Sequence, residues 1–575
     1  MTFSPTPCKD QNMQKLKVDR DLARRLWQLV APVFFEDVRW KARALLCLLI
    51  LFSLSLSGMN VLISYINRDF MTALSLKDRE GFFNQLYLAL LAFAFAAPLV
   101  AMYRYTEERF ALFWRRWISR KILRNYFSQS AYYYINNAQG IDNPDQRLEE
   151  DTRSFTTTTL SIFLISLNSL ITIFAFSSVL WSISTTLLIA VLVYSFLGTI
   201  FAYFLGKPLI GLNFQQLRLE ADYRYKLVNI RDNAESISFF NGDNREFTAT
   251  RRKLNAALNN LIKIIRRSRT LNIFTNSYNY LIAIIPTVIV APLYLNGKIE
   301  FGVVVQSGAA FVSVVNALSL IVLNFGTLSA LVAVVTRLGT FVEALTKTNI
   351  DQDGIANKLS LLKQIEDEKL AFRRVTILSP NNKTRIITDL SFELKNGGML
   401  ICGPSGTGKS SIIRAIAGLW KSGKGEILTP PSEKIFFLPQ KPYMPLAHFR
   451  SLFIYGTNKF GISDEELYEL AKQLGLVDTW KRVGGLSAKY DWPNFLSNGE
   501  QQKISIARLL LSSAKYAMLD EATTALDSES EKAVYQIIRK RFPLYLSIGH
   551  KDNLAEFHNL ILELKGDGSF IFEQK

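Results

Sequence analysis

The chain is 575 residues long, room for several domains, and 49% of it is hydrophobic against 20% charged, with 40 Phe. That is too apolar for a disordered or collagenous chain, and three scattered cysteines (Cys8, Cys47, Cys402) make neither a disulfide framework nor a zinc site. Lys and Arg outnumber Asp and Glu by 67 to 49, so a net charge of +18 must face phosphate, an anionic membrane surface or nucleic acid.

In chain order, Val18 to Phe35 sets Leu22, Leu26, Leu29 and Val30 on a helical face against Arg20, Arg24 and Arg25. This predicts an interfacial helix that Pro32 ends or kinks. The first apolar span starts after Arg43 without a small-x-small cleavage pattern, so no cleavable leader is expected. Six nearly uncharged spans follow, near Ala44 to Ile66, Phe83 to Tyr103, Leu160 to Trp181, Thr185 to Leu205, Ile273 to Leu295 and Val303 to Leu323. Each is long enough for roughly 30 Å of hydrocarbon. The third and fourth must be an antiparallel hairpin turning near Ser182 to Ser184.

Basic residues crowd alternate connections: Arg104, Arg109, Arg115 and Arg116 after the second span, Arg251, Arg252, Arg266 and Arg267 after the fourth. The positive-inside rule assigns these to the cytoplasm and the short neutral connections to the other side. The charge is thereby explained by the lipid bilayer, and no nucleic-acid partner is expected. A transmembrane domain over 1–345 and a polar linker over 346–368 are expected to precede a second domain over 369–575.

In that domain the apolar run Met399 to Cys402 enters Gly403-Pro404-Ser405-Gly406-Thr407-Gly408-Lys409-Ser410, followed by Ser411 and an apolar-periodic stretch. This strand, G-x-x-x-x-G-K-S and helix is a phosphate cradle in which backbone N–H groups and Lys409 meet the phosphates and Ser410 meets Mg2+. Further on, the apolar strand Tyr516 to Leu519 ends in Asp520, suited to the Mg2+ shell, and Glu521, placed to polarise water. ATP and Mg2+ are the expected ligands.

Leu496-Ser497-Asn498-Gly499-Glu500-Gln501-Gln502 resembles the LSGGQ signature of ABC ATPases. Gln440 in Leu438-Pro439-Gln440 resembles their Q-loop, Asp527 in Ala525-Leu526-Asp527 their D-loop, and His550 their switch histidine. In the membrane half, Asp142 to Arg147 and Asn233 to Gly242 resemble loop motifs of the subfamily D half-transporters and their bacterial BacA-like relatives. At the first of these, Asn143 before Pro144 predicts the N-cap of a short helix.

The resemblance implies an exporter-type, type IV ABC fold: a six-helix all-α membrane domain fused to an α/β P-loop domain. It implies catalytic roles for Glu521, His550 and Gln440, metal contacts from Ser410, Gln440 and Asp520, and nucleotide contacts from Gly403 through Ser411, Ser497, Gly499, Glu500 and Asp527. It also implies a homodimer, since one chain holds one P-loop and one signature. Asn498 departs from the usual glycine. Ser379 stands where many relatives stack an aromatic on adenine; either Phe372 or another nearby aromatic substitutes, or base recognition is weak and GTP is accepted too. His448 and His558 are expected at the surface.

ATP-driven transport is the favoured function, with an ATP-gated channel or regulatory membrane protein as the alternative. The relatives carry cobalamin, very-long-chain acyl-CoA or peptides. Uncharged polar residues within the spans, such as Asn60, Ser64, Asn168 and Asn276, favour a bulky hydrophilic cargo such as cobalamin. The expected location is a bacterial inner membrane with the ATP-binding domain in the cytoplasm, or an organellar membrane in a eukaryote.

Overall fold

The computed structural model describes residues 20–137, 143–319, 325–354, 362–379, 384–457, 461–550 and 554–574. The chain divides into two compact units, Met1–Asp353 and Gly354–Lys575. The described part of the first is helical: α1 (Arg20–Phe35), α2 (Arg39–Ser75), α3 (Arg79–Phe127), a short helix Ala131–Asn137, α4 (Pro144–Ile183), α5 (Thr185–Asp232), α6 (Ala234–Phe239), α7 (Asp243–Leu295), α8 (Phe301–Leu318) and α9 (Phe325–Gly354). Leu51, Leu54, Phe95 and Phe174 lie more than half exposed on these helices, as side chains facing lipid do. The 49 residues of α3 extend about 75 Å, far beyond the roughly 30 Å of a hydrocarbon layer.

Among the described residues seven helices, against the predicted six, are long and apolar enough to cross a bilayer. The extra one arises at the sixth span: α8 ends at Leu318, positions 320–323 of the predicted span lie outside the described residues, and α9 begins at Phe325. The N–H of Gly302, in the first turn of α8, donates to Thr72 Oγ1 near the far end of α2 (3.2 Å). By contrast Val334, Leu338 and Phe341 of α9 pack with Leu29 and Val33 of α1 and Phe110 and Trp114 of α3, toward the basic end. The two pieces therefore run in series from one end of the bundle to the other.

Ser184 alone, in extended conformation, separates α4 from α5, the predicted hairpin turn. Pro32 does not end α1, which continues to Phe35. The helix predicted at Pro144 starts there but is not short, because it passes through a π-helical turn, Arg147–Asp151, into α4. Asn143 gives it no side-chain cap and is left-handed instead, at φ +44°. At the π turn, buried Asp151 accepts from Arg337 Nε (2.9 Å) and Arg147 donates to the Arg337 carbonyl (3.0 Å). Arg25 of α1 forks onto Glu343 of α9 (3.1 and 3.2 Å).

The linker expected over 346–368 is shorter than predicted, since α9 runs to Gly354 and β1 (Lys363–Glu366) already belongs to the second unit. That unit contains β2 (Leu370–Leu378), β3 (Arg385–Leu394), β4 (Gly397–Cys402), β5 (Gly423–Thr429), β6 (Ile435–Leu438), β7 (Tyr516–Asp520), β8 (Leu544–Ile548), β9 (Leu560–Leu564) and β10 (Phe570–Gln574). One sheet has the order β1-β5-β2-β3; the other, β10-β9-β4-β8-β7-β6, is parallel apart from β10. Strands buried on both faces read as continuous apolar runs, and Met399, Leu400, Leu544, Leu546, Met518 and Leu519 are all fully buried.

Candidate nucleotide-hydrolysis site

Strand order brings the separated motifs together. In the parallel set, Ile548 of β8 lies opposite both Ile401 of β4 and Asp520 of β7, and Leu438 of β6 lies opposite Leu519. Neighbouring strands are about 4.8 Å apart, so the loop after Cys402, Gln440, Glu521 and His550 all leave from one edge of the sheet. The carboxyl ends of parallel strands are where open α/β sheets bind ligands.

Gly403, Gly406 and Gly408 have φ of +134°, +83° and +94°. A Cβ on Gly403 would lie 2.3 Å from the Leu564 carbonyl oxygen, so side-chain-bearing residues are excluded from this path. Between the glycines, Pro404 and Ser405 lead to Thr407, whose hydroxyl donates to the Pro404 carbonyl (3.0 Å). Helix α10 (Lys409–Ile416) starts at the end of the loop. Lys409 Nζ curls back onto the carbonyls of Gly403 and Pro404 (2.9 Å each). Together with the first N–H groups of α10, which have no intrahelical acceptor, it makes a concave positive nest sized for phosphate. The Ser411 side chain is buried, so only its backbone could serve a ligand.

Ser410 Oγ donates to Asp520 Oδ1 (3.0 Å). Burial raises the Asp520 carboxyl, and the Ser410 bond opposes that. Gln440 Nε2 donates to Glu521 Oε2 (2.6 Å), leaving the amide oxygen for a cation. A hydroxyl, a carboxylate and an amide oxygen are the hard donors that Mg2+ prefers. No group of three or more His, Cys, Asp or Glu among the described residues could hold a metal. A cation here must therefore take the rest of its shell from phosphate and water. Glu521 is left-handed at φ +48°, a conformation uncommon for a side-chain-bearing residue, and its N–H donates to the Ile548 carbonyl (3.2 Å). His550 is exposed at the end of β8.

The signature opens α11 (Asn498–Leu511). Ser497 is its N-cap and accepts from the Glu500 N–H (3.2 Å), while Glu500 Oε2 accepts from the Ser497 N–H (2.8 Å), a reciprocal capping box. Glu500 also accepts from Thr479 Oγ1 (2.5 Å) and Arg482 (2.8 Å). Burial alone would raise its carboxyl; these donors outweigh burial and hold it below the usual range. Glu500, predicted as a nucleotide contact, is thus spent on shaping the helix start. Asp527 is likewise the N-cap of α12 (Ser528–Arg541), accepting from Ser530 N–H (3.0 Å). Asn498, the departure from the usual glycine, is tolerated because the position is simply the first residue of a helix. Gly499 is the tight one: a Cβ there would lie 2.9 Å from the Ala525 carbonyl oxygen.

Two residues have roles that the sequence reading did not assign. Gln502 accepts from the Ala525 N–H (2.9 Å) and points its amide N–H at the Glu521 carbonyl (3.4 Å), tying the start of α11 to the exit of β7. Arg508, buried, donates to the Tyr443 carbonyl (2.7 Å) just past Gln440 and lies under the Tyr455 ring (5.4 Å); burial lowers its pKa to about 10. A lone Arg in the run Ile506 to Leu511 was the available signal. Phe372 cannot stack on a base, since it is buried against Phe392 at 4.6 Å in the core. His558 is not at the surface: it is buried, with Nε2 3.0 Å from Ser547 Oγ, and burial lowers its pKa to about 4. His448 is exposed, as expected.

Residues 29–295 match the family described as ABC transporter transmembrane region 2, and 387–524 match the one described as ABC transporter. ABC transporter D family member 2, chloroplastic, of Arabidopsis thaliana is 36% identical over 95% of this chain and 86% of its own length. The chain is an ABC transporter. Human lysosomal cobalamin transporter ABCD4 is 29% identical over 96% of both chains. The fold is that of the solved bacterial Atm1-family ABC exporter with ATP bound, at a TM-score of 0.72 and 18% identity over 91% of this chain and 94% of that one. This membrane-embedded ABC transporter therefore binds ATP and couples its hydrolysis to transport.

Proposed function

We propose that two copies of this transporter hydrolyse two ATP molecules between them, each in the P-loop of one copy and against Ser497 and Gly499 of the other. The observation that carries this reading is the pair of contacts Ser410–Asp520 and Gln440–Glu521 beside the Lys409 nest. Lys409 holds the β- and γ-phosphates. Ser410, Asp520 and Gln440 would hold Mg2+, which when bound supplies positive charge against the phosphate oxygens. Glu521, fixed by the Gln440 amide, orients the attacking water and draws its proton. The oxygen–phosphorus bond forms as the bond to the leaving ADP breaks, while His550 offsets charge on the transferred phosphate.

Each copy crosses the membrane six times in this reading, α8 and α9 sharing the sixth crossing, with the basic end and the ATP-binding unit in the cytoplasm. Support for the pairing is that one chain holds a single P-loop and a single signature. The cargo is bulky and hydrophilic, of the cobalamin kind; the name of the human relative and the uncharged polar residues on α2, α4 and α7 support this over a polyanionic acyl-CoA.

Mixing tests the pairing. Lys409→Ala and Ser497→Arg each damage a different half of the composite site, so co-expressed chains regain ATPase activity above either variant alone, one intact site per mixed pair. A monomer hydrolysing ATP at the full parent rate contradicts the reading.

A further inference from the structure

Within one copy, two half-open cavities lie among α2, α3, α4 and α8. The one toward the basic end, about 480 Å³, is bounded by α3 and α4 and lined by Tyr103, Arg104, Glu107, Glu108, Ser161 and Asn168. The one toward the other end, about 670 Å³, is lined by Asn60, Ser64, Asn67, Thr172 and Ser313 among apolar neighbours.

These polar residues are not scattered. On α2 the sequence places Ser53, Ser57, Asn60, Ser64 and Asn67 at intervals of four, three, four and three residues, which is one face of a helix. That face runs about 21 Å, most of a hydrocarbon layer. On α4, Thr157, Ser161, Asn168 and Thr172 repeat the same face, interrupted only by Ile165. Thr157, Ser161 and Asn168 line the first cavity and Thr172 the second, so the cavities adjoin along α4 within one helical turn, about 6 Å. At the junction Asn168 Nδ2 donates to Tyr103 Oη (2.9 Å).

Interhelical hydrogen bonding accounts for part of this stripe: Gln306 donates to Ser64 (3.3 Å) and Asn168 to Tyr103. It does not account for Ser57, which is 8% exposed and whose hydroxyl finds no partner among the described residues. A buried hydroxyl left unpaired costs on the order of 1–3 kcal/mol, so a row that includes one points to a ligand or water along it. Among the residues lining the basic-end cavity itself, the two carboxylates of Glu107 and Glu108 outnumber the one guanidinium of Arg104.

We propose that this seam, internal to each copy, is part of the path of the cargo, and that it admits a water-soluble cargo without net negative charge. The proposal rests on the transport reading above and narrows its substrate class. Uncharged amides and hydroxyls exchange hydrogen bonds with such a cargo along the stripe, Glu107 and Glu108 repel a polyanion such as a CoA ester at the mouth, and the Tyr103–Asn168 bond divides the two cavities and must open for passage.

Cysteine accessibility tests it in the full chain, in lipid nanodiscs, with Cys8, Cys47 and Cys402 replaced by alanine. Single Ser57→Cys, Asn60→Cys and Ser161→Cys chains are treated with the cationic thiol reagent MTSET and the anionic MTSES, and Leu54→Cys and Phe174→Cys serve as lipid-facing controls. The proposal expects the seam cysteines to react with MTSET at least ten-fold faster than the controls. It also expects the MTSET-to-MTSES rate ratio to exceed that toward free cysteine, and to fall toward it in Glu107→Gln/Glu108→Gln. Seam cysteines as inert as the controls overturn the path, and a ratio equal to that of free cysteine overturns the charge preference. ATPase activity measured on the same samples separates the two readings: hydrolysis with an inert seam sinks only this proposal, and a reactive seam without hydrolysis sinks the transport reading and with it the assignment of the seam to a cargo.

Discussion

Replacing Glu500 separates a shaping role from a ligand role. In Glu500→Ala the Ser497 N–H loses its acceptor, the Thr479 hydroxyl is stranded in a side chain only 4% exposed, and Arg482, about half exposed, loses its partner. A stranded buried hydroxyl costs about 1–3 kcal/mol and half a capping box about 0.5–1 kcal/mol, while the exposed ion pair adds under about 1 kcal/mol. The sum is about 1.5–5 kcal/mol, which lowers the unfolding temperature of a unit this size by roughly 3–20 °C. Glu500→Gln keeps its carbonyl oxygen for the Ser497 N–H, lets the Thr479 hydroxyl turn to accept from the new amide N–H, and loses the ion pair, so its shift stays under about 4 °C. Thermal unfolding of the detergent-solubilised chain, followed by tryptophan fluorescence, reads both variants. ATPase activity should fall with the Ala change and largely survive the Gln change. Equal shifts for the two, or an Ala variant as stable as the parent, refute the capping-box account.

Lys409→Ala removes the ammonium from the P-loop nest and should weaken Mg-ATP binding by about ten-fold or more, measured by titration calorimetry; unchanged affinity counts against the nest. His558 is held neutral, with its pKa lowered to about 4 by burial. Below an unfolded-state value near 6.5 the unfolded chain takes up a proton that the folded one refuses, so this histidine's contribution to stability is intact above pH 6.5 and drains away down to about pH 4. The loss is about 3 kcal/mol at its limit. His558→Gln should flatten the acid side of the unfolding-temperature profile relative to the parent, and parallel profiles would refute the assignment.

Much of this was legible in the sequence because the physics is local. Uncharged runs of about 20 residues announce membrane helices, and the glycines before Lys409 announce a turn that only glycine can make. Asp520 and Glu521 could be read as one site with Lys409 because an apolar strand ending in acids beside a P-loop has few other uses. What stayed hidden depends on strand order and on packing between distant segments. The environment of His558 is set by β8, eleven residues away, and by Tyr535 beside it. Phe372 is lost to a base because Phe392, on the adjacent strand, takes its ring face. The course of the sixth span is decided by where α8 and α9 find partners, Thr72 at one end and Leu29 and Val33 at the other, which no hydropathy window contains.

The most direct measurement of the central claim, that Glu521 drives ATP hydrolysis in a P-loop built by Lys409 and Ser410, is Mg-ATP binding and turnover by Glu521→Gln beside the parent in lipid nanodiscs. Gln keeps the size and one hydrogen-bond acceptor for Gln440 but loses the charge that orients and deprotonates water. Nucleotide affinity should stay within about three-fold while turnover falls at least a hundred-fold, about 2.7 kcal/mol of lost transition-state stabilisation. Turnover by Glu521→Gln at the parent rate would contradict the account.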